Sequence, residues 1–409
     1  MSSTLTTTPD LRETTRRLLE YCRANDWAGH DPYDALNSEW LSAFPILNTR
    51  LPRLTMTQLL KRSPIDIRRL LRIPKTQNPK ALGLFLSSAV KLRGAGIVEG
   101  TELSSQLIDR LIILRSGDSE QWCWGYSFPW QTRTQVVPRG TPNLVCTTFV
   151  ATAFLDVYEA HGDPRCLEIA VSAAEYILRN LYWSEGKDIA GFSYPLPSMR
   201  QQIHNANFLA AALFCRVNHL AGETKFLEPA LRAARFSAGR QRVDGSWVYG
   251  DMPTQGWVDN FHTGYNLCAL RAIGRYADTT EFESHARRGF EFYRKHFFRK
   301  DGAPRYFHDR TYPIDVHSVT QSIITLLAFR DFHENNMQLA QSVLQWSMEH
   351  LWDGRGYFYY RKLRWCTIRT PYIRWAEAWM LLALSTLLEE TRTVEASTSA
   401  SLAGRDGEH

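Results

Sequence analysis

The sequence predicts an all-α protein: an (α/α)6 toroid of six helical hairpins, with a short basic helical insertion near the N-terminus. Three observations carry this expectation. Long helices that are apolar nearly all round recur at a near-constant interval, the mark of helices buried on every side. Amphipathic helices alternate with them. Each of five apolar helices follows a turn rich in Gly and aromatic residues, which spaces the repeats.

The elements follow in order. A first outer helix is expected near 9–24, then the insertion, then a first inner helix near 81–94. Further inner helices open at Asn143, His204, His262, His317 and Tyr372, at successive separations of 61, 58, 55 and 55 residues. Their sequences are TPNLVCTTFVATAFLDVY, HNANFLAAALFCRVNHL, HTGYNLCALRAIGRY, HSVTQSIITLLAFRDF and YIRWAEAWMLLALSTLL. Outer helices with one charged face are expected at 103–116, 164–181, 225–240, 281–298 and 337–350, with starts at Asp163-Pro164 and Asp278-Thr279-Thr280. Six inner and six outer helices can close on themselves, which removes the need for a capping repeat that an open solenoid has. Short aromatic runs such as Tyr357–Tyr360 fit small hairpins in the loops. Residues 1–390 read as a single toroid domain, and the polar stretch 391–409 as a disordered tail.

Composition bounds the function. The chain has 409 residues with 44% hydrophobic and 22% charged, ordinary for a folded protein and against wholesale disorder. Seven widely spaced cysteines without a CxxC argue for free thiols in a reducing compartment rather than a disulfide framework. The N-terminus lacks a signal pattern and no 18-residue apolar run occurs, so a cytoplasmic location is expected, with peripheral membrane association as the variant. The net charge of +6 does not call for nucleic acid. There is no GxGxxG after a strand, no P-loop and no Gx-Ser-xG elbow, so no nucleotide cofactor is expected.

Loops that precede the inner helices of a toroid share one face, and the conspicuous polar and aromatic residues lie there. The stretch WCWGYSFPWQTR supplies Trp124, Tyr126, Trp130, Gln131 and Arg133. Aromatic rings interleaved with hydrogen-bonding groups suit a sugar, whose C–H face stacks while its hydroxyls need partners. The third inner helix opens with His204-Asn205-Ala206-Asn207, the fourth from Asp259 through His262 to Tyr265, and the fifth from Asp315 to His317. Three histidines in register suggest acid–base chemistry, with His262 and His317 as acid and base, Asp259 and Asp315 as partners or alternative acids, and Tyr265 as an auxiliary acid. That set fits epimerisation or β-elimination. Paired carboxylates would instead fit glycoside hydrolysis, and Asp259 and Asp315 are equally suited to cap helices. Zinc is not expected, because no HExxH or close His pair is present. Trp247 and Tyr306, from two further turns, and Arg369, Tyr372, Arg374 and Trp375, from IRTPYIRWAEAW, complete the expected substrate contacts. An arginine pair can clamp the carboxylate or phosphate of a uronate or sugar nucleotide.

Over residues 80–390 this helical repeat resembles the six-hairpin glycosidase-like toroid superfamily of glycoside hydrolases, polysaccharide lyases and sugar epimerases. The stretches WGYSFPWQ and PYIRWAEAWMLLALS also resemble proteins that accompany bacterial surface-polysaccharide biosynthesis, which implies a role on a polysaccharide or its precursor. A weaker resemblance is to triterpene cyclases, through one Q-x3-G-x-W motif at Gln241–Trp247; their acidic DxDD signature is missing. The alternatives to an enzyme of carbohydrate metabolism are thus a non-catalytic glycan-binding or scaffold protein of a polysaccharide-assembly complex, or a terpenoid cyclase-like protein.

Residues 50–80 hold nine basic side chains and one acid, a net charge of +8, which leaves −2 for the rest of the chain. TMTQLLKR and PIDIRRLLRIPK read as two short amphipathic helices. They either pack on the toroid or offer a surface to anionic lipid, an acidic glycan or another acidic partner.

Overall fold

A computed structural model of the chain describes residues 8–405, except 45, 47, 118, 133 and 134. The helices are α1 (Thr8–Ala24), α2 (Glu39–Ala43), α3 (Arg50–Arg62), α4 (Pro79–Gly94), α5 (Glu102–Ile113), α6 (Leu144–His161) and α7 (Pro164–Asn180). They continue as α8 (His204–Ala221), α9 (Leu227–Ala238), α10 (Asn260–Tyr276), α11 (Glu283–Phe297), α12 (Val316–Ala328), α13 (Asn336–His350) and α14 (Ala378–Arg405).

The even-numbered helices from α4 to α14 form the inner ring. Each packs on the next, and α14 packs on α4, so the ring closes. Outer helices α5, α7, α9, α11 and α13 each pack on the inner helix before them, and α1 completes the sixth hairpin against α14. The chain thus joins its two ends inside one hairpin. Local chemistry fixes the boundaries. Asn78, Asn143, Asp163, Asp259 and Asp315 each cap the following helix by accepting a backbone N–H. Pro79 and Pro164 occupy first-turn positions, where the missing N–H costs nothing. The inner helices are buried on nearly all sides, and α12 keeps every residue from Val316 to Ile323 out of solvent.

The strands are short and lie in the loops: β1 (Ala28–Gly29), β2 (Thr76–Gln77), β3 (Trp130–Gln131), β4 (Val136–Val137), β5 (Tyr182–Glu185), β6 (Ile189–Phe192), β7 (Ile314–Asp315), β8 (Arg361–Lys362) and β9 (Thr367–Ile368). The small hairpin expected around Tyr357–Tyr360 is closed by an antiparallel bridge between Trp352 and Phe358, with the Tyr359 N–H on the Leu351 carbonyl at 2.7 Å, and β8 follows it. No helix among the described residues is long and apolar enough to cross a membrane.

The insertion departs from expectation in its second half. TMTQLLKR is helical, within α3, but 64–75 forms turns. Pro64 and Pro74 bracket the segment, and Arg68 is drawn inward to Asp34, with Nε 2.9 Å from Oδ1. A buried ion pair in the middle of a short segment replaces the solvated helical face that the charge pattern suggests. At the other end, α14 carries the backbone through Thr391 to Arg405, where the sequence suggests a tail.

Candidate active site

The N-termini of the inner helices open on one face, and the capping carboxylates bring the histidines there. Asp259 accepts the His262 backbone N–H at 3.0 Å through Oδ1, while its Oδ2 lies 2.8 Å from His262 Nδ1 and 3.1 Å from Trp257 Nε1. The cap is therefore also the histidine's partner. Asp315 caps α12 in the same way, with the His317 N–H at 2.9 Å, but its remaining lone pairs are occupied. Arg361 donates to Oδ2 from Nε and Nη2 at 2.9 and 2.6 Å, and Trp375 Nε1 donates to Oδ1 at 2.9 Å. Asp315 has no solvent exposure. Its contacts are those of a structural anchor: a helix cap, an ion pair and an indole hydrogen bond.

His317 faces a different partner. Its Nε2 lies 2.5 Å from the Tyr265 hydroxyl, and its Nδ1 lies 3.3 Å from the Trp375 carbonyl oxygen. Nδ1–H donating to that carbonyl leaves Nε2 to accept from the phenol. Burial, then the nearby Lys80 and Arg374 cations, hold His317 well below the usual histidine range. Burial pushes the Tyr265 phenol well up, so it keeps its proton. The two histidines share walls: the Phe261 ring is 4.3 Å from His262 and 4.7 Å from His317, and the Tyr265 ring is 6.0 Å from each. Trp375, at 4.6 Å from His317, enters from the π-helical turn Ile373–Glu377 that leads into α14.

Arg374 belongs to this mouth but is spoken for. It donates to both oxygens of Asp31, at 2.6 and 2.8 Å, and lies 5.0 Å over the Tyr126 ring. Tyr306 packs on Phe261 at 5.5 Å. Asn205 lines a small recess with Trp257, Asp259 and His262, and its Oδ1 is buried without a hydrogen-bond partner. Trp130 and Gln131 form β3 on the rim, where Gln131 Oε1 meets Arg53 at 3.4 Å.

Other expected residues lie elsewhere. Trp124 has no exposure, and its Nε1 donates to the Leu111 carbonyl at 2.8 Å. Trp247 does border the Asn205 recess, but it is buried and its Nε1 donates to the Ser237 carbonyl at 2.9 Å. Gln241 of the same motif ties Gly245 and His285 carbonyls together, at 3.0 and 2.9 Å. Gly245 needs its φ of 91°, and a Cβ there would meet the Arg288 carbonyl oxygen at 2.4 Å. These residues brace hairpins. His204 points to the outer layer, 3.3 Å from Ser237 Oγ and 3.1 Å from Asp251, and Asn207 binds the same Ser237 at 2.9 Å. Tyr372 is buried against Tyr360 and under Arg68, and Arg369 sits beside Tyr359 on a separate surface. Arg133 lies outside the described residues.

Three residues were not legible as site residues. Lys80 is 4% exposed, with Nζ 4.1 Å from the Phe149 ring centre and 5.7 Å from that of Tyr265. Burial and Arg374 lower its affinity for a proton well below that of an ordinary lysine. The available signal was a lysine directly after the Asn78-Pro79 cap of an apolar helix; counting it with the basic insertion hid it. Tyr33 and Lys61 cover the mouth from the N-terminal segment, with Lys61 Nζ 2.5 Å from the Tyr33 hydroxyl and 5.9 Å from the Trp375 ring.

A cavity of about 840 Å³ opens at the opposite end of the ring, and Phe149, Tyr265 and Trp379 line its inner wall. His262 and His317 are absent from its lining, whereas Tyr265 reaches it from α10. No group of three or more His, Cys, Asp or Glu among the described residues is arranged to hold a metal ion.

No family model matches the chain, and no curated protein matches its sequence. Solved structures do match. The Lin0763 protein of Listeria innocua aligns over 95% of this chain and 98% of its own at 14% identity, TM-score 0.60. The chain is a six-hairpin toroid. A family 76 α-mannanase of Bacteroides thetaiotaomicron aligns over 78% of this chain and 86% of its own at 13% identity, TM-score 0.58. The cellobiose 2-epimerase of Bacillus thermoamylovorans aligns over 78% and 90% at 9% identity, TM-score 0.57. At such identities the likeness is one of fold.

Proposed function

We propose that the toroid is a carbohydrate-active enzyme that moves protons at a sugar carbon, as an epimerase or lyase does, with His262 and His317 as its acid–base pair. The observation that carries this is that both pack within 5 Å of the Phe261 ring, with unlike partners. His262 is backed by a carboxylate and is 23% exposed; His317 is buried and backed by a phenol. One pair can take a proton from a ring or chain carbon while the other returns one. At His317 a proton arriving on the Tyr265 oxygen is balanced by release of the phenol's own proton to Nε2. The engagement of Asp315 disfavours two-carboxylate hydrolysis. Among the structural neighbours are a cellobiose 2-epimerase and a D-mannose isomerase, which agrees with this chemistry. A surface-polysaccharide setting is proposed from sequence resemblance alone.

The charge arrangement favours an anionic sugar such as a uronate. Four carboxylates near the mouth each have a basic partner: Asp31 with Arg374, Asp34 with Arg68, Asp259 with His262 and Asp315 with Arg361. Lys61 remains without a carboxylate partner among the described residues. A substrate carboxylate would supply the missing charge. Incubating the protein in deuterated water with paired uronates and neutral hexoses tests both parts. Deuterium entering a uronate at one carbon is the expected result. Exchange on neutral sugars alone would remove the anionic part, and no exchange or elimination on any sugar would count against the reading as a whole.

A further inference from the structure

Fourteen large hydrophobic side chains are strongly exposed among the described residues, and eight of them lie between 40 and 70. Single exposed apolar residues are ordinary on a soluble protein, but a cluster of this density is not. Ile46 is 84% exposed, Leu51 and Leu70 are each 74%, Ile65 is 69% and Leu59 is 65%.

The cluster is held rather than loose. On α3 the inner face places Leu60 and Met56 against Ala35 and Ile73. Leu51 lies about 180° round the helix from Leu60, and Leu51 and Leu59 both project into solvent. The 64–75 turns are fixed below by the buried Arg68–Asp34 pair and at the side by Trp40, whose Nε1 donates to the Leu70 carbonyl at 3.1 Å. Trp40 also stacks on Phe44, with ring centres 5.9 Å apart. The apolar side chains are therefore presented outward by a braced scaffold.

The charges around them all but share one sign. Arg50, Arg62, Arg69 and Lys75 are exposed on the same segment, and Arg72 is exposed with Glu39 as its partner. Asp66 is the segment's one acid and faces Arg68. Aliphatic and aromatic side chains that emerge among arginines and lysines are the composition of an element lying in a bilayer interface. A second copy of the chain would set these cations against each other, so self-association through this face is disfavoured.

We propose that the exposed side chains of residues 50–75 form a surface that seats the toroid on an anionic lipid bilayer, with the Leu51, Leu59, Ile65 and Leu70 side chains entering the interface and the flanking basic residues meeting lipid phosphates. The same insertion carries Lys61 and Arg53 to the active-site rim on its other side. Seating it on a bilayer therefore brings the rim close to the membrane surface, whatever the reaction inside.

Flotation of the full chain with vesicles tests this: phosphatidylcholine alone against phosphatidylcholine with 30% phosphatidylglycerol, at low and at physiological salt. Binding to the anionic vesicles that weakens with salt is expected. The variant Leu51→Ser/Leu59→Ser/Leu70→Ser should bind at least tenfold more weakly while keeping its melting temperature within a few degrees, since these side chains contribute little burial. Arg50→Gln/Arg62→Gln/Arg69→Gln should weaken binding to the anionic vesicles and lose the salt dependence. Absence of binding, equal binding to neutral vesicles, or binding unchanged in both variants would overturn the proposal. So would sedimentation as a dimer that the serine variant dissociates. None of these outcomes depends on the sugar chemistry.

Discussion

The Tyr265 hydroxyl and His317 Nε2 lie 2.5 Å apart across two inner helices, α10 and α12, and both residues are buried. A buried imidazole held neutral and a phenol held protonated form a matched donor and acceptor. His262, on the same helix as Tyr265, has a carboxylate partner instead. The two histidines thus differ in environment while facing one mouth.

Tyr265→Phe should therefore abolish the relay at small structural cost. A fall in turnover of about 10²–10⁴-fold is expected, the range for loss of a general acid or base. The stability cost of leaving Nε2 unpaired should be about 1–3 kcal/mol. Steady-state kinetics and a urea titration of the same sample separate the two.

Folding should lose stability on acidification through the histidine range. Folded His317 resists protonation, whereas the unfolded chain takes up a proton near pH 6.5, so the unfolded state binds more protons below that value. Stability then falls as pH drops from about 6.5, and His317→Gln should flatten that slope. By the same sign rule, Lys80 destabilises the fold at neutral pH and ceases to do so as pH rises toward its unfolded value near 10.5. Lys80→Met should raise the melting temperature at pH 7 and reduce its increase toward pH 10; calorimetry against pH reads both.

Asp259 and Asp315 should separate cleanly on mutation, although both cap helices. Asp315→Ala leaves Arg361 buried without its counter-charge and should cost about 3–5 kcal/mol. Asp259→Asn keeps a helix-capping side chain and should mainly lower turnover. Denaturant unfolding paired with kinetics distinguishes the roles; equal stability losses in both would contradict the assignment.

Trp124→Ala and Trp247→Ala should each cost about 3–5 kcal/mol through cavity formation and a lost indole hydrogen bond. Ligand affinity of the folded fraction should be unchanged. Isothermal titration with a binding sugar, together with a urea melt, provides the check.

The hairpin order was legible because buried helices show no polar face and recur at a fixed interval, as α6, α8 and α12 do. Helix-opening residues were legible for the same reason. Sequence position does not show which way an opening residue points, however: His204 and His317 both open inner helices, yet one turns to Ser237 of the outer layer and the other to the mouth. Nor does it show which partners converge from afar. Asp31 and Arg374 are 343 residues apart, and the Arg361–Asp315 pairing spans 46. Lys80 was hidden because charge counting treats every lysine as solvated.

Exchange of a sugar carbon-bound proton with deuterated solvent, followed by NMR on wild type, His262→Ala and His317→Ala, tests the paired-histidine assignment most directly. Wild type should incorporate deuterium at a single carbon of its substrate, and each variant should lose that exchange by at least about a hundredfold while remaining folded. Full exchange in both variants, with a substrate that wild type converts, would contradict the assignment of His262 and His317 as the acid–base pair.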